Sequence, residues 1–171
     1  MGRHSVFTAI LTDAGVAMRS TVLPTFFGAA VLIAFSASAV AQEIGELEVQ
    51  AAQSWRDTYI DVNAPGVLRF HAVGTWVFNP SRPAVDADGD RRLPTGGRAC
   101  YADQDPNARE GQLIGRIGNG RPFVVGASSE RRVGDERGRL FLVINDDLGR
   151  CYGSGLTDNS GALKVRIDYA W

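Results

Sequence analysis

Residues 42–171 predict an all-β fold, an antiparallel β-sandwich or jelly roll. Three observations predict it. About seven short runs of alternating or continuous apolar residues follow one another at close spacing. No stretch carries the 3.6-residue periodicity of an amphipathic helix. The separators are turn chemistry, as in Asn63-Ala-Pro-Gly66. Many short strands without helices pack as two sheets around one core.

The first predicted strand is short, Leu47 to Ala51, and the second spans Trp55 to Val62, where Thr58 and Ile60 favour strand. A longer strand comprises Val67 to Val73 and Trp76 to Phe78, interrupted by Gly74. Residues 79–112 contain most of the prolines and no apolar run. A segment that long without an element usually covers or forms a site. Strands resume at Leu113 to Ile117, Pro122 to Val125, Leu140 to Ile144 and Leu163 to Tyr169. In the last, Leu163, Val165, Ile167 and Tyr169 share one face, against Lys164, Arg166 and Asp168. The continuously apolar Leu140 to Ile144 belongs at the centre of a sheet, covered on both faces.

Residues 1–41 read as a secretory signal peptide rather than as part of the fold. Arg19 precedes a nearly uncharged run from Val22 to Val40, and Ala39-Val40-Ala41 has the small-x-small form of a cleavage site. Met18 stands just before that charge and is a second candidate for the true start. The rival reading, a retained membrane anchor, is disfavoured by Pro24 and the small-residue tail, so no membrane span is expected in the mature protein. The expected location is the periplasm or the exterior. Residues 42–171 suffice for a single domain with its own core. Without Arg3, Arg19 and Asp13 their net charge is about −2, which gives no reason to expect nucleic acid as a partner. Export favours a disulfide between Cys100 and Cys151, which would close a loop of about 50 residues; two unpaired thiols are the alternative.

The chain offers little for catalysis. The one histidine beyond the leader, His71, sits inside a strand. No Ser or Cys stands in a nucleophile motif, and one His with two separated Cys is too little for zinc. Carboxylates are numerous, yet no pair is singled out for glycoside hydrolysis. The expectation is a protein that is not an enzyme. Oxygen ligands, by contrast, gather near the C-terminus. The apolar run Leu140 to Ile144 leads into Asn145-Asp146-Asp147, a polar loop follows, and Asp158-Asn159 precedes the last strand. Calcium takes about 6–8 oxygens from carboxylates, amides, main-chain carbonyls and water. Asp146, Asp147, Asp158 and Asn159 supply such groups, and Gly149, Gly153 and Gly155 let main-chain carbonyls turn inward. Ordinary turn chemistry accounts for the same residues equally well. A second acidic cluster, Asp86-Ala-Asp-Gly-Asp90, begins like an EF-hand loop. It then places Arg91 where glycine is required and Gly97 where the bidentate Glu belongs. It reads better as a solvated turn, or as one bracing the loop through Arg91 or Arg92.

These residues resemble the bacterial PA-I galactophilic lectins, small calcium-dependent sugar-binding β-sandwiches with a galactose-binding-domain-like fold. The resemblance spans most of residues 45–169. It is concentrated in Gly74-Thr-Trp-Val-Phe78, Gly89-Asp-Arg-Arg-Leu-Pro94, Leu113-Ile-Gly-Arg-Ile-Gly118, Ile144-Asn-Asp146 and Asn159-Ser-Gly161. It implies one Ca2+ held by Asp146, by Asp158 and Asn159 in place of two amides, by the main-chain carbonyl of Phe78, and by a carbonyl of the 149–157 loop. Sugar hydroxyls would complete the shell. The family's sugar-gripping His and Gln fall at Leu93 and Gly96, neither of which can donate that hydrogen bond. The sugar, galactose-like or another glycan, is therefore left open. Trp76 or Tyr152 would offer a face to the sugar's C–H side, Trp76 having a core position as its alternative. Cys100 matches a family cysteine by spacing, and Cys151 would replace the family's absent partner. The family's tetramers raise a homo-oligomer without fixing its contacts.

The function expected is an exported, calcium-dependent carbohydrate-binding protein. Its alternative is an envelope structural or protein-interaction β-sandwich that has lost sugar binding, which Leu93 and Gly96 motivate. A hydrolase of envelope polysaccharide has no organised acid/base pair behind it.

Overall fold

The computed structural model describes residues 41–95, 107–149 and 154–171, with side chains from residue 46 onward. All of these lie in one compact unit, Ala37–Trp171. Eight strands form: β1 (Ala41–Gln50), β2 (Arg56–Val62), β3 (Gly66–Val77), β4 (Leu113–Ile117), β5 (Phe123–Val124), β6 (Ser128–Val133), β7 (Gly138–Ile144) and β8 (Ser160–Ala170). They make two antiparallel four-stranded sheets, ordered β1-β8-β3-β6 and β2-β7-β4-β5. The fold is an all-β antiparallel sandwich.

Alternation decides which faces meet. Leu68, Phe70 and Ala72 of β3 and Leu163, Val165, Ile167 and Tyr169 of β8 are buried, while Arg69, His71, Lys164 and Arg166 face water. From the other sheet come Ile60, Leu113, Ile117, Leu140, Leu142 and Ile144. The two inner faces meet where the rings of Phe70 and Phe123 approach to 6.2 Å between centroids. Strand β7 lies between β2 and β4, as expected; on its outward-facing row Val143 is fully buried, whereas Phe141 keeps part of its surface in water, so the outer face is covered only in part.

Three elements differ from the sequence reading. Strand β1 starts at Ala41 and pairs with β8 through an irregularity between Ile44 and Leu47, which blurs its alternation. Gly74 does not interrupt β3, whose pairing with β8 continues from Val67 to Val77. Strand β6 was not expected at all. Its sequence, Ser-Ser-Glu-Arg-Arg-Val, has a single apolar residue. Being an edge strand it needs little burial, and Arg131, opposite the core residue Leu68, lays its guanidinium over the Phe123 ring at 4.0 Å. A charge directed inward also protects an edge against further strand pairing.

Candidate ligand site at one end of the sandwich

Three chain segments meet at one end of the sandwich. Strand β3 leaves the first sheet at Val77, opposite Ser160, so Phe78 emerges beside Asn159 at the start of β8. Strand β7 leaves the second sheet at Ile144 and continues into Asn145-Asp146-Asp147. Gly111 joins the two sheets here. Its carbonyl accepts the indole N–H of Trp76 at 2.7 Å, and its own N–H donates to the carbonyl of Asn145 at 2.8 Å. Gly111 has φ of +75°, and a Cβ there would lie 2.7 Å from the Phe78 ring. Only glycine allows the approach.

The polar side chains at this end are largely withdrawn from solvent. Asn145, Asp146, Asp147 and Asn159 are exposed by 1, 7, 5 and 7 % respectively. The Asn159 side-chain amide donates to the carbonyl of Ala51 at 3.2 Å, which fixes which end of the amide points where. Its Oδ1 is buried with no hydrogen-bond partner among the described residues. Asn145 is set in the same way: Nδ2 donates to the Arg109 carbonyl at 2.7 Å, and Oδ1 is buried without a partner. A buried amide oxygen left unpaired costs about 1–3 kcal/mol unless something accepts its lone pairs. Asp146 forms a tight turn, its carbonyl accepting from the Leu148 N–H at 2.7 Å. Asp158 is exposed in the turn just before Asn159.

Asn145 had no role in the sequence reading. Its signals were its place at the end of an apolar strand and within the Ile144-Asn-Asp146 motif, and its partner, Arg109, is remote in sequence.

Trp76 is corrected as a sugar platform: it is 1 % exposed and its N–H is used within the core, so it has no face to offer. Leu93 is half-buried and packs against the core, and its side chain has no hydrogen-bonding group. Gly96, Cys100, Cys151 and Tyr152, named in the sequence reading, lie outside the described residues. His71 is exposed on the outer face of β3.

The Asp86–Asp90 segment is a brace. Asp90 is 1 % exposed and accepts from the Arg92 main-chain N–H (3.0 Å), Arg92 Nε (2.7 Å), Arg92 Nη2 (2.9 Å) and Arg82 Nη1 (3.2 Å). The Arg92 hydrogen bond chiefly, against the opposing effect of burial, lowers its pKa to about 2. Asp88 accepts from the Ala127 N–H at 2.8 Å and pairs with Arg91 at 2.6 Å; these lower its pKa as well. Its main-chain N–H in turn donates to Asp86 Oδ1. These oxygens are committed to guanidinium and amide donors. The Asp90 N–H donates to the Glu110 carbonyl, so the braced turn is stitched to the 109–112 segment that also holds Asn145. Among the described residues no three of His, Cys, Asp and Glu are grouped to hold an ion. The end of the sandwich offers a different donor set, amide and main-chain oxygen beside carboxylate.

No family model matches this chain, and no curated protein does. Among solved structures it is similar to the EclA N-terminal domain, described as a PllA-like lectin. The TM-score is 0.55 at 22 % identity, over 75 % of this chain and 98 % of that one. At that identity the likeness is one of fold alone: the two share a β-sandwich. Among the described residues no helix is long and apolar enough to cross a membrane.

Proposed function

We propose that this protein binds carbohydrate through a calcium ion held at the end of the sandwich by Asp146, Asp158, Asn159 and the main-chain carbonyl of Phe78. One observation carries the reading: the Asn159 amide is anchored through its nitrogen, and its oxygen is buried, unpartnered among the described residues and adjacent to the exit of β3. A hard cation is the partner such an oxygen lacks. The described fold likeness to a lectin domain supports the second half of the reading, sugar hydroxyls completing the shell. Asp146 and Asp158 would together neutralise a divalent charge. Leu93 brings no donor, so sugar selectivity would rest on groups other than those of the family this chain resembles.

Calorimetry of chelator-stripped protein with calcium, followed by a glycan array with and without calcium, tests the proposal. Heat of binding in the wild type, lost in Asn159→Ala and Asp146→Ala, is the expected result. No calcium uptake by the wild type rejects the metal site. Uptake with no glycan bound under any condition favours the alternative of an envelope structural or interaction module, which the apolar Leu93 motivates.

The leader reading is part of the same proposal: the protein is exported, and its mature chain begins at Gln42 in the periplasm or outside the cell. N-terminal sequencing of protein from the native compartment tests this; an N-terminus upstream of Ala39 would reject cleavage at this site.

A further inference from the structure

The outer face of the second sheet carries two arginines in contrasting surroundings. Arg139 on β7 is fully compensated: it donates to Asp61 at 2.8 and 3.2 Å and to Asp57 at 3.2 Å. Arg116 on β4 stands opposite Phe141, the next outward residue of β7, and has no carboxylate among the described residues. Its guanidinium lies 4.3 Å from the Trp55 ring centroid and 5.3 Å from that of Phe141. Its Nε is buried without a hydrogen-bond partner. Burial lowers its pKa, with no opposing charge to raise it.

Aromatic faces attract a guanidinium but satisfy none of its N–H donors. They also fix its plane, which presets the fork that binds a carboxylate through two parallel hydrogen bonds. Trp55, Arg116 and Phe141 each retain part of their surface in water, and Nε is the guanidinium nitrogen buried without a partner, so a ligand would meet Nη1 and Nη2. Asp57, the nearest acid across the sheet, already serves Arg139.

We propose that Trp55, Arg116 and Phe141 form a second saccharide site, for a sugar bearing a carboxylate, on the outer face of the second sheet. Arg116 takes the carboxylate in its fork. The Trp55 and Phe141 rings flank the pyranose with apolar edges that match its C–H groups. The site needs no metal. It rests on the proposed function only in the reading that this protein binds carbohydrate.

The test is titration of a galacturonate trisaccharide, and of its carboxyl-reduced neutral counterpart, into full-length processed protein in chelator at low salt, followed by Trp fluorescence and calorimetry. Chelation silences the calcium site, so this result stands or falls separately from it. The charged sugar is expected to bind, more weakly as salt rises. Arg116→Gln should weaken it at least tenfold, Arg116→Lys should restore only a fraction, and the neutral sugar should not bind. Arg116→Gln should retain or raise the wild-type Tm, since it removes an uncompensated charge, so lost binding would not reflect unfolding. Equal binding by wild type and Arg116→Gln, or of both sugars, overturns the proposal. So does a wild-type dimer that Arg116→Gln converts to monomer, which would make this face a self-interface.

Discussion

Asp90→Ala probes the brace beside the candidate ligand site. The wild-type carboxylate is 1 % exposed and accepts four hydrogen bonds, three of them from Arg92. Breaking a fully buried ion pair costs about 3–5 kcal/mol, because the remaining partner is left charged and dry. Here the Arg92 and Arg82 side chains are 56 and 38 % exposed, so both regain water when the carboxylate goes. That lowers the cost towards the ~1 kcal/mol of surface pairs. The Arg92 main-chain N–H, however, loses its acceptor, for roughly 1 kcal/mol more. The net expectation is about 2–3 kcal/mol, or a fall in Tm of about 10 °C for a domain of this size. The folded pKa of about 2 lies below the ordinary 3.8, so the unfolded state binds the proton more readily. The stabilisation is therefore complete above about pH 5 and fades as pH falls towards 2. Urea denaturation of wild type and Asp90→Ala at a series of pH values measures this. The gap between them should be full at pH 7 and shrink steadily in acid. A gap under about 0.5 kcal/mol at pH 7, or one that does not change with pH, would refute the reasoning.

Further outcomes follow from other sites. Chelator should lower the wild-type Tm and added calcium restore it, while Asn159→Ala should be insensitive to both; scanning calorimetry in matched buffers checks this. Gly111→Ala forces a Cβ to 2.7 Å from the Phe78 ring at a φ of +75°, and should cost about 2–4 kcal/mol by denaturant titration. Tyr59, 70 % exposed, holds a φ of +63° at the β2 irregularity. Tyr59→Gly should stabilise the fold by about 0.5–1 kcal/mol in the same titration, since glycine adopts that backbone without strain.

How much was legible follows from how each signal is carried. Strand β8 was readable because a half-buried strand must alternate, and Leu163, Val165, Ile167 and Tyr169 do so without exception. Strand β7 was readable as central because an unbroken apolar run suits a strand flanked on both sides, though Phe141 within it keeps part of its surface in water. Strand β6 was not, because an edge strand needs few apolar residues; its pairing with β3 is a main-chain matter, indifferent to side-chain type. The bracing of Asp90 by Arg92 was half-visible, since the pair is two residues apart; the contribution of Arg82 needed the turn to close.

The candidate site divides along the same line. Residue type and local order marked Asp146, Asp158 and Asn159 as oxygen donors at strand ends, because strands carry few consecutive polar residues and a chain leaving a sheet exposes them. Whether an oxygen is satisfied depends on groups far along the chain. Asn159 is anchored by Ala51, Asn145 by Arg109, and Arg116 is flanked by Trp55 and Phe141. Sequence alone determined the sandwich and the chemistry available at its end, since both are written in local pattern. Tertiary structure alone decided that Trp76 is core, that Asp90 is a brace and that Arg116 has no counter-charge among the described residues, because burial and pairing depend on which distant segments the two sheets bring together.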